Sequence, residues 1–404
     1  MKICEVCNSE FGNTFLDLGF HPLCDDLTPF ESELIPEEYQ QLVSLCEFCL
    51  TAHQMVPVIK EKLFKYDYHY RAALTSDVIK GMTNLVQETI KYFDTKNKIV
   101  TVLDIGCNDG SLLGIFKDKH SFTTIGVDPT GAILESGNKV DFKFNEYFSQ
   151  STAKEIKKIC PEINLITFTN VFAHIENLPE LIANLKILIS DSTILVIENH
   201  YLGSILKYKQ FDTFYHEHPR TYSFRSFEFI AEKIGLEITD VKFPSRYGGN
   251  IRVTMSTKKS KIDLSHLRKT EDEFIKMFKL LQNQFIDWKL RSKTILNSLL
   301  KKGPIYGKAL PGRAVMLINS LELSAREMPL IFEKPNSPKI GNYVPGSKIK
   351  ILSDNELLKA NPETLIVWSW HITEEIIKYL EDLGYEGEIW VPLPEFKKIR
   401  SKKG

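Results

Sequence analysis

The sequence predicts an α/β protein, in which a doubly wound, mostly parallel sheet stands between a small cysteine-bearing N-terminal module and a further α/β domain. Three observations predict it. From residue 99 to about 257, short apolar runs alternate with helix-patterned segments, as a parallel sheet with crossover helices requires. Two C-x-x-C pairs, Cys4 with Cys7 and Cys46 with Cys49, lie within the first 65 residues. Strand-like and helix-like patterns resume beyond residue 258.

The 404 residues leave room for two to three domains, expected at 1–65, 66–257 and 258–404. Lys plus Arg (51) nearly balances Asp plus Glu (52), and the charges are scattered. No basic field for nucleic acid or a membrane surface is implied. Met1-Lys2-Ile3-Cys4 carries no apolar signal region, and no apolar run approaches the ~20 residues of a membrane span. A cytoplasmic location is expected.

Residues 1–65 are expected to be stapled by a metal. Two knuckles supply four thiolates, enough to surround one structural Zn²⁺ tetrahedrally, and a reducing compartment keeps such thiols free. The expected ligands are Cys4, Cys7, Cys46 and Cys49. Two unrelated pairs, or one pair completed by Cys24, His21 or His53, are the alternatives. A domain this small buries little, which is the physical reason for a staple. Tyr66-Asp67-Tyr68-His69-Tyr70-Arg71 follows, ahead of a helix expected at 76–93. Its tyrosines can pack under that helix or present phenols to a pocket.

Strands are expected at 99–105, 122–127, 141–144, 165–170, 193–198, 238–243 and 251–256. The first runs through Val102-Leu103-Asp104-Ile105 into Gly106-Cys107-Asn108-Asp109-Gly110 and then a helix. In an open α/β sheet the crevice at that carboxyl end holds the ligand. Gly106 and Gly110 let backbone approach where a Cβ would intrude. The spacing D-x-G-x-x-x-G lacks the first glycine of the dinucleotide pattern. Asp128 ends the second strand, where a carboxylate can accept from both hydroxyls of a ribose. Asn170-Val171-Phe172-Ala173-His174 leaves the fourth strand at the same edge and points Asn170 and His174 to the crevice.

After Glu198 the alternation stops. Where a helix is due, Tyr215-His216-Glu217-His218 sets four polar side chains in a row before Pro219. Proline biases His218 toward an extended conformation, in which Glu217 would alternate with its two histidines. Proton transfer, a second metal site and a solvated loop are all open to such a segment. A basic stretch at 257–261 and helix-patterned sequence at 271–300 lead into the last α/β region. There Lys339-Ile340-Gly341-Asn342-Tyr343-Val344-Pro345-Gly346 can grip a phosphate and a base, or be a plain surface loop.

The turn D-I-G-C-N-D-G with G-V-D-P after the second strand resembles the class I methyltransferases that bind S-adenosylmethionine. Taken with the paired C-x-x-C module, N-V-F-A-H, F-D-T-F-Y-H-E-H, Tyr247-Gly248-Gly249-Asn250-Ile251-Arg252 and the 339–346 loop, nearly the whole chain resembles the sugar C-methyltransferases. Those enzymes act on nucleotide-linked 4-keto sugars. The resemblance implies a class I (Rossmann-like) domain between the zinc module and a C-terminal α/β domain that helps bind substrate. It implies S-adenosylmethionine held by Asp104, Gly106, Asn108, Gly110, Asp128, Asn170 and His174. It implies His218 as the base that takes the C3 proton beside the C4 ketone, Tyr215 next to it, Glu217 in support and Tyr70 facing the substrate. Tyr201, Lys339 and Tyr343 are expected to join Tyr70 on the nucleotide sugar. A monomer or weak dimer is expected, with no nucleic-acid or membrane partner.

Departures from the family's usual pattern fall on the acceptor side. Ala72-Ala73 replace a serine pair, and His200 stands where a proline usually precedes the aromatic. Residues 306–313 differ from a small-residue and lysine pattern, although Asn319 remains. Two alternatives follow. One is a methyltransferase of the same scaffold acting on oxygen or on a non-sugar carbon; the other is a zinc-bearing scaffold protein with a vestigial cofactor site.

Overall fold

The central sheet contains all seven strands read from the sequence, their ends moved by one or two residues. In chain order they are Thr101–Ile105, Thr123–Val127, Phe142–Phe144, Leu165–Thr169, Ile194–His200, Glu237–Lys242 and Asn250–Ser256. In space they run third, second, first, fourth, fifth, seventh, sixth, and the seventh is antiparallel to both neighbours. Thr101–Ile105 is buried along its whole length, which is why it reads as an apolar run without alternation. Strand order reverses between the first and fourth strands, and the crevice opens at their carboxyl ends. The computed structural model describes residues 1–66, 68–93, 99–119, 122–260 and 262–402; Asp67 and Lys261 lie outside the described residues.

The N-terminal module is woven into the rest. Its four-stranded sheet runs Phe15–Pro22, Glu38–Cys46, Thr51–Gln54 and then Arg220–Thr221, a strand contributed by the segment just after the Tyr-His-Glu-His run. Thr28–Pro29 leaves the module to pair with Asn342–Tyr343 at the edge of the C-terminal sheet. That sheet has a parallel core, Glu388–Val391, Thr364–Val367, Tyr306–Lys308, Leu330–Glu333 and Lys350–Ser353 in spatial order. The apolar run at 315–319 is a helix, Ala314–Ser320, buried nearly all round.

The helix Phe274–Leu300 is the spine. It buries Phe274, Phe278, Leu281, Phe285, Trp288, Ser292, Leu296 and Leu299 at spacings of three to four, against Phe15–Pro22 and the helix Leu202–Tyr208. Trp288 donates from Nε1 to Pro392 O at 2.8 Å, tying it to the C-terminal domain. Among the described residues, no helix is long and apolar enough to cross a membrane.

Two local expectations are corrected. The stretch after Glu198 is not without a helix, since Leu202–Tyr208 is helical. Residues 215–218 form a tight turn rather than an extended segment, because the His218 N–H reaches back to Tyr215 O at 2.9 Å. Extended structure starts only after Pro219, whose carbonyl accepts from Gln54 N at 2.9 Å.

Candidate active site

The glycine turn is shaped by close backbone approach. Gly106 has φ +77°, and a Cβ there would meet Val171 at 2.4 Å. Asn108 is also left-handed (φ 51°), and its N–H donates to Asp128 Oδ2 at 2.8 Å. The other Asp128 oxygen accepts from the N–H (2.9 Å) and hydroxyl (2.6 Å) of Thr130. Asn108 also accepts from Ala72 N at 3.0 Å, and Asp109 from Ala73 N at 2.9 Å. The alanine pair is thus latched to the turn by its backbone, which either residue type supplies. Asp104 is buried at the base of the crevice with Thr167 Oγ1 at 2.7 Å, and burial lifts its carboxyl to about 7. A buried acid short of a counter-ion suits a cationic guest.

Asp104, Gly106, Asn108, Asp128, Asn170 and His174 line one cavity of about 1110 Å³. Gly110 sits behind it, where a Cβ would strike Ser136 and Val140 at 2.8 Å. Tyr70, Tyr215, Glu217 and His218 line the same cavity from the other side. His216 does not: its Nε2 lies 3.2 Å from Tyr39 O. The turn therefore sends Glu217 and His218 together into the cavity, against the expected alternation.

The histidines are oriented by backbone. Nδ1 of His218 lies 2.9 Å from Thr213 O, and Nδ1 of His174 lies 2.9 Å from Glu217 O. A carbonyl only accepts, so in each neutral ring Nδ1 carries the hydrogen and Nε2 keeps the lone pair. Burial holds both neutral, pushing His218 well below the ordinary imidazole range and His174 to about 4. Glu217 accepts from the Tyr68 hydroxyl at 2.9 Å, and burial raises its carboxyl to about 8. Tyr215 packs at a tilt against His218, with ring centroids 4.3 Å apart and planes at 52°.

Several lining residues were not singled out from the sequence. Tyr247 meets the Tyr70 hydroxyl at 3.1 Å from a left-handed backbone (φ 53°). Arg246 reaches the cavity past Gly81, where a Cβ would overlap its side chain at 2.1 Å. It pairs with Glu198, which also accepts from Arg252 and Asn250, all of them buried. Arg313 holds Asp212 at 2.7 Å and Tyr247 O at 3.0 Å. Lys308 is buried on Asp354. Of this wall the sequence offered Tyr247-Gly248-Gly249-Asn250-Ile251-Arg252, which entered the resemblance without a site role.

On the C-terminal side, Lys334 and Lys339 line the cavity from the loop after Leu330–Glu333. Lys339 Nζ reaches Leu310 O at 2.5 Å and has no carboxylate partner among the described residues. Tyr201 and Tyr343 do not line the cavity. Tyr201 is buried against Phe243 and Phe274 with its hydroxyl on Glu271 at 2.9 Å, which corrects its expected substrate role. Tyr343 is turned to Phe30 by the strand pairing of Asn342–Tyr343 with Thr28–Pro29, a correction with the same consequence.

Cys4, Cys7, Cys46 and Cys49 converge until their Sγ atoms lie within 4.8 Å of one another, a cluster that could coordinate a metal ion. Each knuckle closes on a left-handed residue, Asn8 (φ 65°) and Leu50 (φ 57°), whose N–H returns to the first cysteine's carbonyl at 2.8 Å. His53 stands outside the cluster with Nε2 3.3 Å from Cys4 Sγ. Cys24 lies elsewhere, on the wall of the cavity.

Comparison with known proteins agrees with this layout. Residues 74–241 match the family model "Methyltransferase domain", and residues 245–394 match "C-methyltransferase C-terminal domain". The chain is 24% identical over 412 residues to the C-methyltransferase NovU of Streptomyces niveus, covering 99% of this chain and 97% of NovU. Solved structures resemble it more loosely. A SAM-dependent methyltransferase from Archaeoglobus fulgidus is 20% identical, covering 49% of this chain and 87% of its own, with a TM-score of 0.33. The magnesium protoporphyrin IX methyltransferase ChlM from Synechocystis, with bound SAH, is 12% identical, covering 45% and 84%, with a TM-score of 0.35. With the crevice and both family matches in hand, the chain is a SAM-dependent methyltransferase related to C-methyltransferases such as NovU.

Proposed function

We propose that the enzyme methylates carbon next to the ketone of a nucleotide-linked 4-keto-deoxysugar. The observation that carries this is one cavity in which His218 Nε2, with its lone pair free, stands among the phenols of Tyr70 and Tyr215. The same cavity is lined by the carboxyls of Asp104 and Asp128 at the strand ends and by Lys334 and Lys339 from the C-terminal domain. The two carboxyls suit a sulfonium and its amino group; the two lysines suit the phosphates of a nucleotide sugar.

In this reading Asp128 holds the ribose of S-adenosylmethionine, Asp104 draws its cationic end, and Gly106, Asn108 and Asn170 line its bed. Bound there, S-adenosylmethionine supplies an electrophilic methyl group. His218 Nε2 takes the proton from the carbon beside the ketone. The Tyr70 hydroxyl, braced by Tyr247 at 3.1 Å, donates to the ketone oxygen as negative charge builds there. Such a bond is stronger in the transition state than in the ketone, so it lowers the barrier. Glu217, raised to about 8, is largely protonated near neutral pH, so it adds little negative charge against which an enolate would form. The four-cysteine cluster holds a structural zinc.

The test is incubation of a nucleoside-diphosphate 4-keto-6-deoxyhexose with enzyme in heavy water, with and without S-adenosylmethionine. Deuterium should enter at C3 in either case, and the product should carry a new carbon-bound methyl. A methyl found on oxygen, or methylation without solvent exchange, would overturn the reading.

A further inference from the structure

The hydrogen bond that orients His218 ends on Thr213 O, and Thr213 closes the short turn Phe211–Thr213. That turn is gripped at Asp212, whose side chain is fully buried. The grip comes from the C-terminal domain. Arg313 donates from Nε to Asp212 Oδ2 at 2.7 Å, and Trp370 donates from Nε1 to the same oxygen at 2.8 Å. The guanidinium also lies over the Trp370 ring, 4.9 Å from its centroid. Arg313 and Trp370 follow the parallel neighbours Tyr306–Lys308 and Thr364–Val367, so the carboxyl ends of those two strands present both.

The same guanidinium has a second hold. Nη1 donates to Tyr247 O at 3.0 Å, and the Tyr247 hydroxyl meets that of Tyr70 at 3.1 Å. Trp370 presses on this turn as well, since a Cβ on Gly248 would meet its ring at 2.7 Å. One planar fork thus spans the turn behind the imidazole and the turn behind the two phenols. Arg313 lines the cavity, where a positive charge invites an anionic ligand. Its bonding answers otherwise. Nε and Nη1 are engaged with protein, and Nη2 is sealed from solvent without a partner among the described residues. The residue is only 6% exposed.

We propose that Arg313 is the positioning residue that sets His218 and the Tyr70–Tyr247 hydroxyl pair against one another from the C-terminal domain. This rests on reading His218 as the base. Arg313 touches no reacting atom. It acts on the imidazole through Asp212 and Thr213, and on the phenols through the Tyr247 backbone. Loss of the proton from carbon and growth of charge on the neighbouring oxygen belong to one transition state. Base and phenol must therefore keep a fixed separation, and a small misplacement is costly.

Steady-state kinetics with S-adenosylmethionine and a nucleoside-diphosphate 4-keto-6-deoxyhexose separate positioning from binding. Arg313→Gln should lower kcat about 10- to 100-fold and leave both KM values within about twofold. A raised acceptor KM at unchanged kcat would make Arg313 a ligand-binding residue and overturn the proposal. Arg313→Lys keeps the charge but loses the fork, and it should stay slow; wild-type kcat in this variant overturns the two-armed hold. Because Arg313→Gln leaves a buried carboxylate without its partner, the double variant Asp212→Asn/Arg313→Gln is the control. It should bind S-adenosylhomocysteine as wild type does and remain slow. Recovery of wild-type kcat there would reduce the single variant's defect to a stranded charge and sink the proposal. In the free enzyme, ¹⁵N imidazole NMR should find His218 as a single Nδ1–H tautomer in wild type and as both tautomers in the double variant. One tautomer in both proteins breaks the link through Thr213. If wild type neither methylates this acceptor nor exchanges its C3 hydrogen, the reading of His218 fails and the positioning role falls with it; the NMR comparison still decides whether Arg313 orients the imidazole.

Discussion

The two edges of the cavity are built in opposite ways. The cofactor edge is the first strand and its turn with the ends of the second and fourth strands, and it carries the carboxyls of Asp104 and Asp128. The opposite edge is assembled from the Tyr68–Tyr70 segment, the 215–218 turn, the Tyr247 turn and the loops of the C-terminal sheet, with Lys334 and Lys339 among its charged groups. In the proposed reading, the contrast lets one cavity sort a cationic cofactor from an anionic acceptor, with neutral imidazoles between them. It also teaches that the first edge is built mostly within the central sheet, whereas the second draws on every module.

The largest expected effect tests that dependence. Cys46→Ser should strip metal from the N-terminal module and abolish methyl transfer, because Arg220–Thr221, next to the 215–218 turn, is a strand of that module's sheet. The cofactor edge should survive, and calorimetry with S-adenosylhomocysteine should still record binding. Loss of both functions together would break the contrast. Metal analysis finding no zinc in freshly prepared wild type would remove its basis.

Next, His218→Asn should lower methyl transfer by 10²–10⁴-fold, the usual scale for a general base, with cofactor affinity nearly intact. It should also end deuterium exchange at the acceptor carbon. Exchange continuing at the wild-type rate would move the base to another residue.

Asp128→Ala probes the other edge. Hydrogen bonds to a charged group are worth about 1–3 kcal/mol, so S-adenosylmethionine affinity should fall about 5- to 150-fold. The KM for the acceptor should move little. Lys339→Ala should do the reverse, raising the acceptor's KM about fivefold for roughly 1 kcal/mol and leaving cofactor binding alone.

The smallest effect is on stability against pH. Glu217 is raised to about 8 by burial, so above the ordinary carboxylate range the unfolded chain ionises while the folded one stays protonated. The unfolded state then binds fewer protons, and Glu217 makes stability fall as pH rises from about 4.5 to 8. Glu217→Gln should therefore gain Tm relative to wild type across that window, with little difference at pH 4. A gap constant with pH would place the ionisation elsewhere.

Much was legible in the sequence wherever function rests on neighbours in the chain. Gly106 and Asn108 shape a turn within a few residues of Asp104, and each C-x-x-C pair closes on itself, so spacing alone determined the cofactor turn and the two knuckles. The five inner strands of the central sheet were legible because burial on both faces leaves an apolar run that no loop would carry. The Tyr-His-Glu-His run announced chemistry but not direction, since one hydrogen bond from His218 N to Tyr215 O decides which side chains enter the cavity. What only the tertiary structure decided lies across long separations: Tyr70 on Tyr247, 177 residues apart, Arg313 on Asp212, 101 apart, and His200 beside His218. It also turned Tyr201 toward Glu271 and Tyr343 toward Phe30. The physical reason is that a turn is set by the dihedral preferences of adjacent residues, whereas these contacts follow from strand order, register and helix packing, which no local spacing encodes.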